Sequence, residues 1–192
     1  VVLSLLTNPN KLGVVSLCAA ASLFGLASSA QADSIRIMSK AVCWGDIPVF
    51  RNNFGHAAIA FYGSQGNLLG TKGMWSDGVR VNHPEDIKMA NGVGCGLRTR
   101  TAVVSSTRRE WVWNQVATSG GTNCQSYTLI GKIQGSDKYC SCVGFATRVW
   151  RQVTSDWERW QFQSTPKLLG DTIQSANRGQ LYGIFDNGRE WK

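Results

Sequence analysis

Apolar and polar residues alternate over 34–39 (Ser-Ile-Arg-Ile-Met-Ser), the period-two pattern of a short strand. A second run, His56-Ala-Ala-Ile-Ala-Phe-Tyr62, is small and apolar and is closed by Gly63-Ser-Gln-Gly66, so it reads as a strand followed by a turn. Residues 67–75 are its expected hairpin partner, 76–78 a turn, and 79–82 alternate again. Residues 83–98, with Pro84, Gly92, Gly94 and Gly96, predict a loop with one helical turn around Glu85–Ala90, and Leu97 to Ser105 a further strand.

Helical signals dominate the second half. Thr107-Arg-Arg-Glu110 has the form of a capping box and predicts a helix to about Thr118, stopped by Gly120 and Gly121, with Trp111, Val112, Gln115 and Val116 near one face. Residues 124–139 are polar and turn-rich around Tyr127. Ser141 suits the N-cap of a second helix through Val153, with Cys142 at its first position and an apolar make-up that predicts burial. Pro166 opens a last helix to Asn177, ending at Gly179, and 181–185 (Leu-Tyr-Gly-Ile-Phe) is expected to close a sheet edge. Strands followed by helices make this an α+β chain, with one domain expected over 33–192.

The first 32 residues are set apart from that domain. Lys11 precedes an uncharged apolar run to Leu26, and small residues end in Ala30-Gln-Ala32, the layout of a secretory signal peptide cleaved after Ala32. The run is short for a membrane-spanning helix, and no other long apolar segment follows, so no transmembrane segment is expected and the product is expected to be secreted or periplasmic. The net charge of +8 falls to +7 without Lys11. Basic residues are scattered rather than clustered, which argues against nucleic acid as a partner.

Five cysteines remain after residue 32: Cys43, Cys95, Cys124, Cys140 and Cys142. In an oxidising compartment two bridges leave one thiol over. No Cys-x-x-Cys or His-x-x-x-His spacing marks a zinc site, and no cofactor is expected. A cysteine on the first turn of a helix has unpaired amides beside its sulfur, and an imidazole entering a strand can supply the base, so Cys142 and His56 form a candidate nucleophile–base pair. A third polar group should hold the imidazole tautomer; Asp77, Asn82 and His83 are candidates, with Asp77 favoured. Cys140 is a rival nucleophile.

Gly55-His56-Ala-Ala-Ile and, much later, Ser141-Cys142-Val-Gly-Phe145 within a buried helix resemble the circularly permuted papain-like group that includes NlpC-type peptidases and lecithin-retinol-acyltransferase-like proteins. Tyr127-Thr-Leu upstream and the Pro166 helix downstream add to the likeness, which spans roughly residues 54–177. The resemblance implies an antiparallel sheet packed against the helix bearing the cysteine. It also implies thiol attack on a carbonyl, with a peptidoglycan peptide as the expected substrate and lipid acyl hydrolysis or transfer as the alternative. A different class of reading is a non-catalytic, disulfide-stapled binding or toxin-like module, motivated by eight tryptophans, of which Trp75, Trp157 and Trp160 sit in turn-rich surroundings.

Overall fold

A computed structural model of the chain describes residues 32–42, 55–128, 139–154 and 165–178. The apolar leader, Cys43, Trp157, Trp160 and the expected edge at 181–185 lie outside them. The alternating segments form strands β1 (Asp33–Lys40), β2 (His56–Tyr62), β3 (Leu68–Trp75), β4 (Gly78–Val81) and β5 (Arg98–Val104). They make one sheet in the order β4-β3-β2-β1-β5, with every neighbouring pair antiparallel. Helices α1 (Pro84–Ala90), α2 (Ser106–Trp111), α3 (Cys142–Val153) and α4 (Pro166–Asn177) complete an α+β arrangement. Two short strands, β6 (Ser126–Tyr127) and β7 (Tyr139–Cys140), pair in parallel. Among the described residues no helix is long and apolar enough to cross a membrane.

The unbroken apolar run of β2 is explained by burial on both faces. Ala57, Ile59 and Phe61 point to one side, where they meet Val143, Phe145, Ala146, Val149 and Trp150 of α3 and Leu169 and Ile173 of α4. Ala58, Ala60 and Tyr62 point to the other, against Met38 and against Met89 and Ala90 of α1. The alternation that separates these sets is the ordinary side-chain period of a strand. Phe145 and Trp150 have no solvent exposure, and each such side chain contributes roughly 2–3 kcal/mol through burial.

Two elements differ from their sequence signals. The segment 83–98 holds a two-turn helix rather than one loose turn, because Pro84 occupies its first turn, the His83 ring caps it by accepting from the Glu85 amide at 3.3 Å, and Glu85 and Asp86 complement its positive end. The helix after β5 is capped by Ser105, whose hydroxyl accepts from the Arg108 amide at 3.1 Å, instead of by Thr107. It then widens into a π-helical turn over Val112–Val116, where the Ala117 amide donates to the Val112 carbonyl at 2.7 Å. Val112 and Val116 therefore reach the core, while Trp111 stays 39% exposed under the Arg108 guanidinium and Gln115 faces solvent. Trp113 packs edge-on against Phe61 at 4.8 Å.

Cys124 and Cys140 form a disulfide across 16 residues of chain, and Cys95 is also disulfide-bonded. The 124–140 bridge anchors the residue two positions before Cys142 to the segment that follows the π-helical turn. Closing a loop of this length contributes about 3 kcal/mol in the chain-entropy account. The double variant Cys124→Ser/Cys140→Ser is therefore expected to lose about 3 kcal/mol, read as a lower urea midpoint, with a steeper slope because the uncrosslinked unfolded chain exposes more surface.

Candidate active site

Cys142 is the free thiol among the described cysteines, and it is buried. Cys140, in its disulfide, is not available as a nucleophile. Helix α3 begins at Cys142 because Ser141 is extended and its hydroxyl accepts from the Gly144 amide at 3.1 Å, while its carbonyl takes the Phe145 amide at 2.9 Å. That leaves the amides of Cys142 and Val143 as the uncapped N–H groups at the start of α3 among the described residues.

His56 opens β2 directly after Gly55, whose φ of +81° favours glycine. A Cβ at position 55 would lie 2.5 Å from the Lys40 carbonyl oxygen and 3.0 Å from Pro166, so a larger residue would push β1 and α4 away from the strand that carries the imidazole. His56 shares the α1-facing side of β2, and its Nε2 donates to Asp86 Oδ1 at 2.8 Å. Cys142 lies close enough to the same ring to help raise its pKa. With Nε2 committed to Asp86, Nδ1 is the nitrogen left for the sulfur.

Asp86 has no solvent exposure. Its carboxylate lies flush on the sheet because β3 offers Gly73 beneath it: a Cβ there would come within 2.6 Å of Oδ2. Trp75 donates its indole N–H to the same Oδ2 at 3.4 Å. Around this pair, Lys40 is the cross-strand neighbour of His56 on β1 and forms an ion pair with Glu85 of α1. Tyr127 pairs with Cys140 in the small sheet; burial, followed by the charge of Cys142, raises its phenol so that it keeps its proton.

The structure thus brings together two of the residues singled out in the sequence, Cys142 and His56. It places Asp77 elsewhere: in the turn before β4, about half exposed and held by Arg80, whose Nε donates to Oδ1 at 2.8 Å. Asn82 accepts from the Thr71 amide through Oδ1 at 2.9 Å, and His83 caps α1. The carboxylate on the imidazole is Asp86, and the signal for it lay in His83-Pro-Glu-Asp86, a helix-start pattern that turns a presumed loop into a platform over β2 and β3. Among the described residues no group of three metal-ligating side chains comes together.

Burial by itself would lower the His56 pKa. The hydrogen bond that the ring donates to Asp86 and the neighbouring Cys142 sulfur, with the charges of both groups, outweigh it and raise the imidazole from 6.5 to about 9. The folded state therefore holds this proton to higher pH than the unfolded chain does. The resulting stabilisation is complete below about pH 6.5 and disappears as pH rises through about 9. Thermal unfolding followed from pH 6 to 9.5 is expected to show the melting temperature falling across that window, and His56→Gln is expected to flatten the fall. A melting temperature independent of pH in the parent would contradict the raised imidazole.

No protein-family model, no curated protein and no solved structure matches the chain, so the reading of this site rests on its own geometry.

Proposed function

We propose that the protein is an exported cysteine hydrolase of the permuted papain-like kind that cleaves an amide bond, with a peptidoglycan peptide as its substrate class. The observation that carries this reading is the convergence of the free Cys142, His56 and the buried Asp86, with the imidazole donating to the carboxylate and raised by the nearby sulfur. Three groups separated by 30 to 86 positions in the chain, on α1, β2 and α3, converge where a thiol, a base and an orienting carboxylate are needed. The histidine strand precedes the cysteine helix, the order of the permuted group. The apolar leader and the disulfides support an exported protein, and that setting supports a cell-wall substrate over an intracellular one.

In this mechanism the Cys142 thiolate attacks the carbonyl carbon, and the π-electron pair moves onto the carbonyl oxygen. The amides of Cys142 and Val143, at the start of α3, are the donors offered to that developing charge. Collapse re-forms the carbonyl and breaks the C–N bond, and the leaving amine takes the proton held by the His56 imidazolium. The product of this half-reaction is a thioester on Cys142. Neutral His56 then removes a proton from water, which attacks the thioester; the C–S bond breaks and restores the thiolate and imidazolium. Asp86 fixes the ring plane and tautomer as a positioning residue.

The test is release of soluble peptide fragments from purified sacculi. The parent is expected to release them and Cys142→Ser to abolish release. Asp86→Asn is expected to lower kcat/KM by about 10²–10⁴-fold, whereas Asp77→Asn stays within roughly twofold of the parent. Undiminished release by Cys142→Ser would sink the proposal and favour a non-catalytic, disulfide-stapled module.

A further inference from the structure

Trp75 lies on the same side of the sheet as His56. Ala58 of β2 faces Gly73 of β3, so His56 and Trp75 each stand two residues further toward the same sheet end. Their ring centroids are 4.2 Å apart with the planes inclined by 35°. The indole also touches the second member of the pair, through its N–H to Asp86 Oδ2, while His56 holds Oδ1. A third contact secures the indole itself: the His83 ring lies 3.7 Å away at 31°, and His83 is fixed in turn as the cap of α1. Trp75 is therefore wedged against the imidazole, the carboxylate and the helix that supplies the carboxylate.

We propose that Trp75 is a positioning residue for this site, which sets the plane of the His56 ring, favours its protonated form and restrains the Asp86 carboxylate. The inference rests on the Cys142–His56 reading above and adds a group that the sulfur–imidazole–carboxylate relay does not contain. Two kinds of physics act through one side chain. The electron-rich face of an indole attracts an imidazolium, and this attraction is stronger where water is excluded. The indole N–H occupies one carboxylate oxygen, which leaves the other aimed at Nε2 and removes a rotational freedom that the aspartate would otherwise have. A phenylalanine in this slot keeps a ring face and loses the donor; a leucine loses both. The other charged or titratable groups set around His56 are Cys142 on α3, Asp86 and Glu85 on α1, and Lys40 on β1, while His83 lies on the indole.

The experiment is a pH titration of the His56 ring nitrogens by long-range proton–nitrogen NMR in the parent, Trp75→Phe, Trp75→Leu and Cys142→Ser. In Trp75→Leu the His56 midpoint is expected to fall by about one pH unit from its parent value near 9, and in Trp75→Phe by a smaller amount. On sacculi, Trp75→Phe is expected to lower kcat about tenfold with KM within about twofold, because the indole orients the base rather than holding substrate. A His56 midpoint unchanged in folded Trp75→Leu would overturn the proposal. If the leucine variant does not fold, Trp75→Phe decides on the same criterion. Cys142→Ser reports separately: a shifted His56 midpoint there upholds the sulfur–imidazole pairing whatever Trp75 does, and an unshifted one ends that pairing and this inference with it.

Discussion

An imidazole and a fully buried carboxylate meet at 2.8 Å, and much of the architecture serves that one hydrogen bond. A buried carboxyl group is costly unless its oxygens are hydrogen-bonded; here His56 takes one and Trp75 the other. For the bond to exist, β2 must begin at its histidine, β3 must run past it in register, and α1 must start early enough to hang Asp86 over both. Each requirement is met by a local device: Gly55 at the strand entrance, the β2–β3 pairing, and Pro84 with His83 at the helix start.

The second half of the chain approaches from the opposite side. Helices α3 and α4 pack on the Ala57, Ile59 and Phe61 face of β2, while α1 packs on the Ala58, Ala60 and Tyr62 face. The start of β2 is where the two layers come within reach of each other: His56 bonds Asp86 of one layer and feels the Cys142 sulfur of the other. The disulfide at Cys140 and the hydroxyl of Ser141 hold the first turn of α3 at that junction. The small side chains of β2 allow helices on both faces to lie close, so the strand's composition and the site's geometry have one cause.

Features encoded over a few residues were legible in the sequence. The alternation at 34–39, the apolar run at 56–62, the Ser141 cap and the Pro166 start all reappear as strands and helices at nearly their expected bounds. The candidate pairing of His56 with Cys142 came from the same local cues, a strand entrance and a helix entrance. Asp86 was not legible because its role depends on α1 folding back across β2 and β3, thirty positions from the imidazole. Asp77 was the nearer acid in a hairpin turn, but Arg80 three residues on claims it. The cap of α2 is Ser105 rather than the Thr107 of the capping-box pattern, because the Arg108 amide donates to the Ser105 hydroxyl. The π-helical turn has no local signature; it brings Val112 and Val116 together to the core.

Gly73 carries a consequence for how this chain can change through descent. Every other amino acid begins with a Cβ, and at this position that atom would come within 2.6 Å of the Asp86 carboxylate. Residue 73 is thus a position whose mutational neighbours all carry the same steric conflict, although it contributes no functional group of its own. A substitution at residue 73 would therefore have to displace the carboxylate beside His56, whichever side chain it brought.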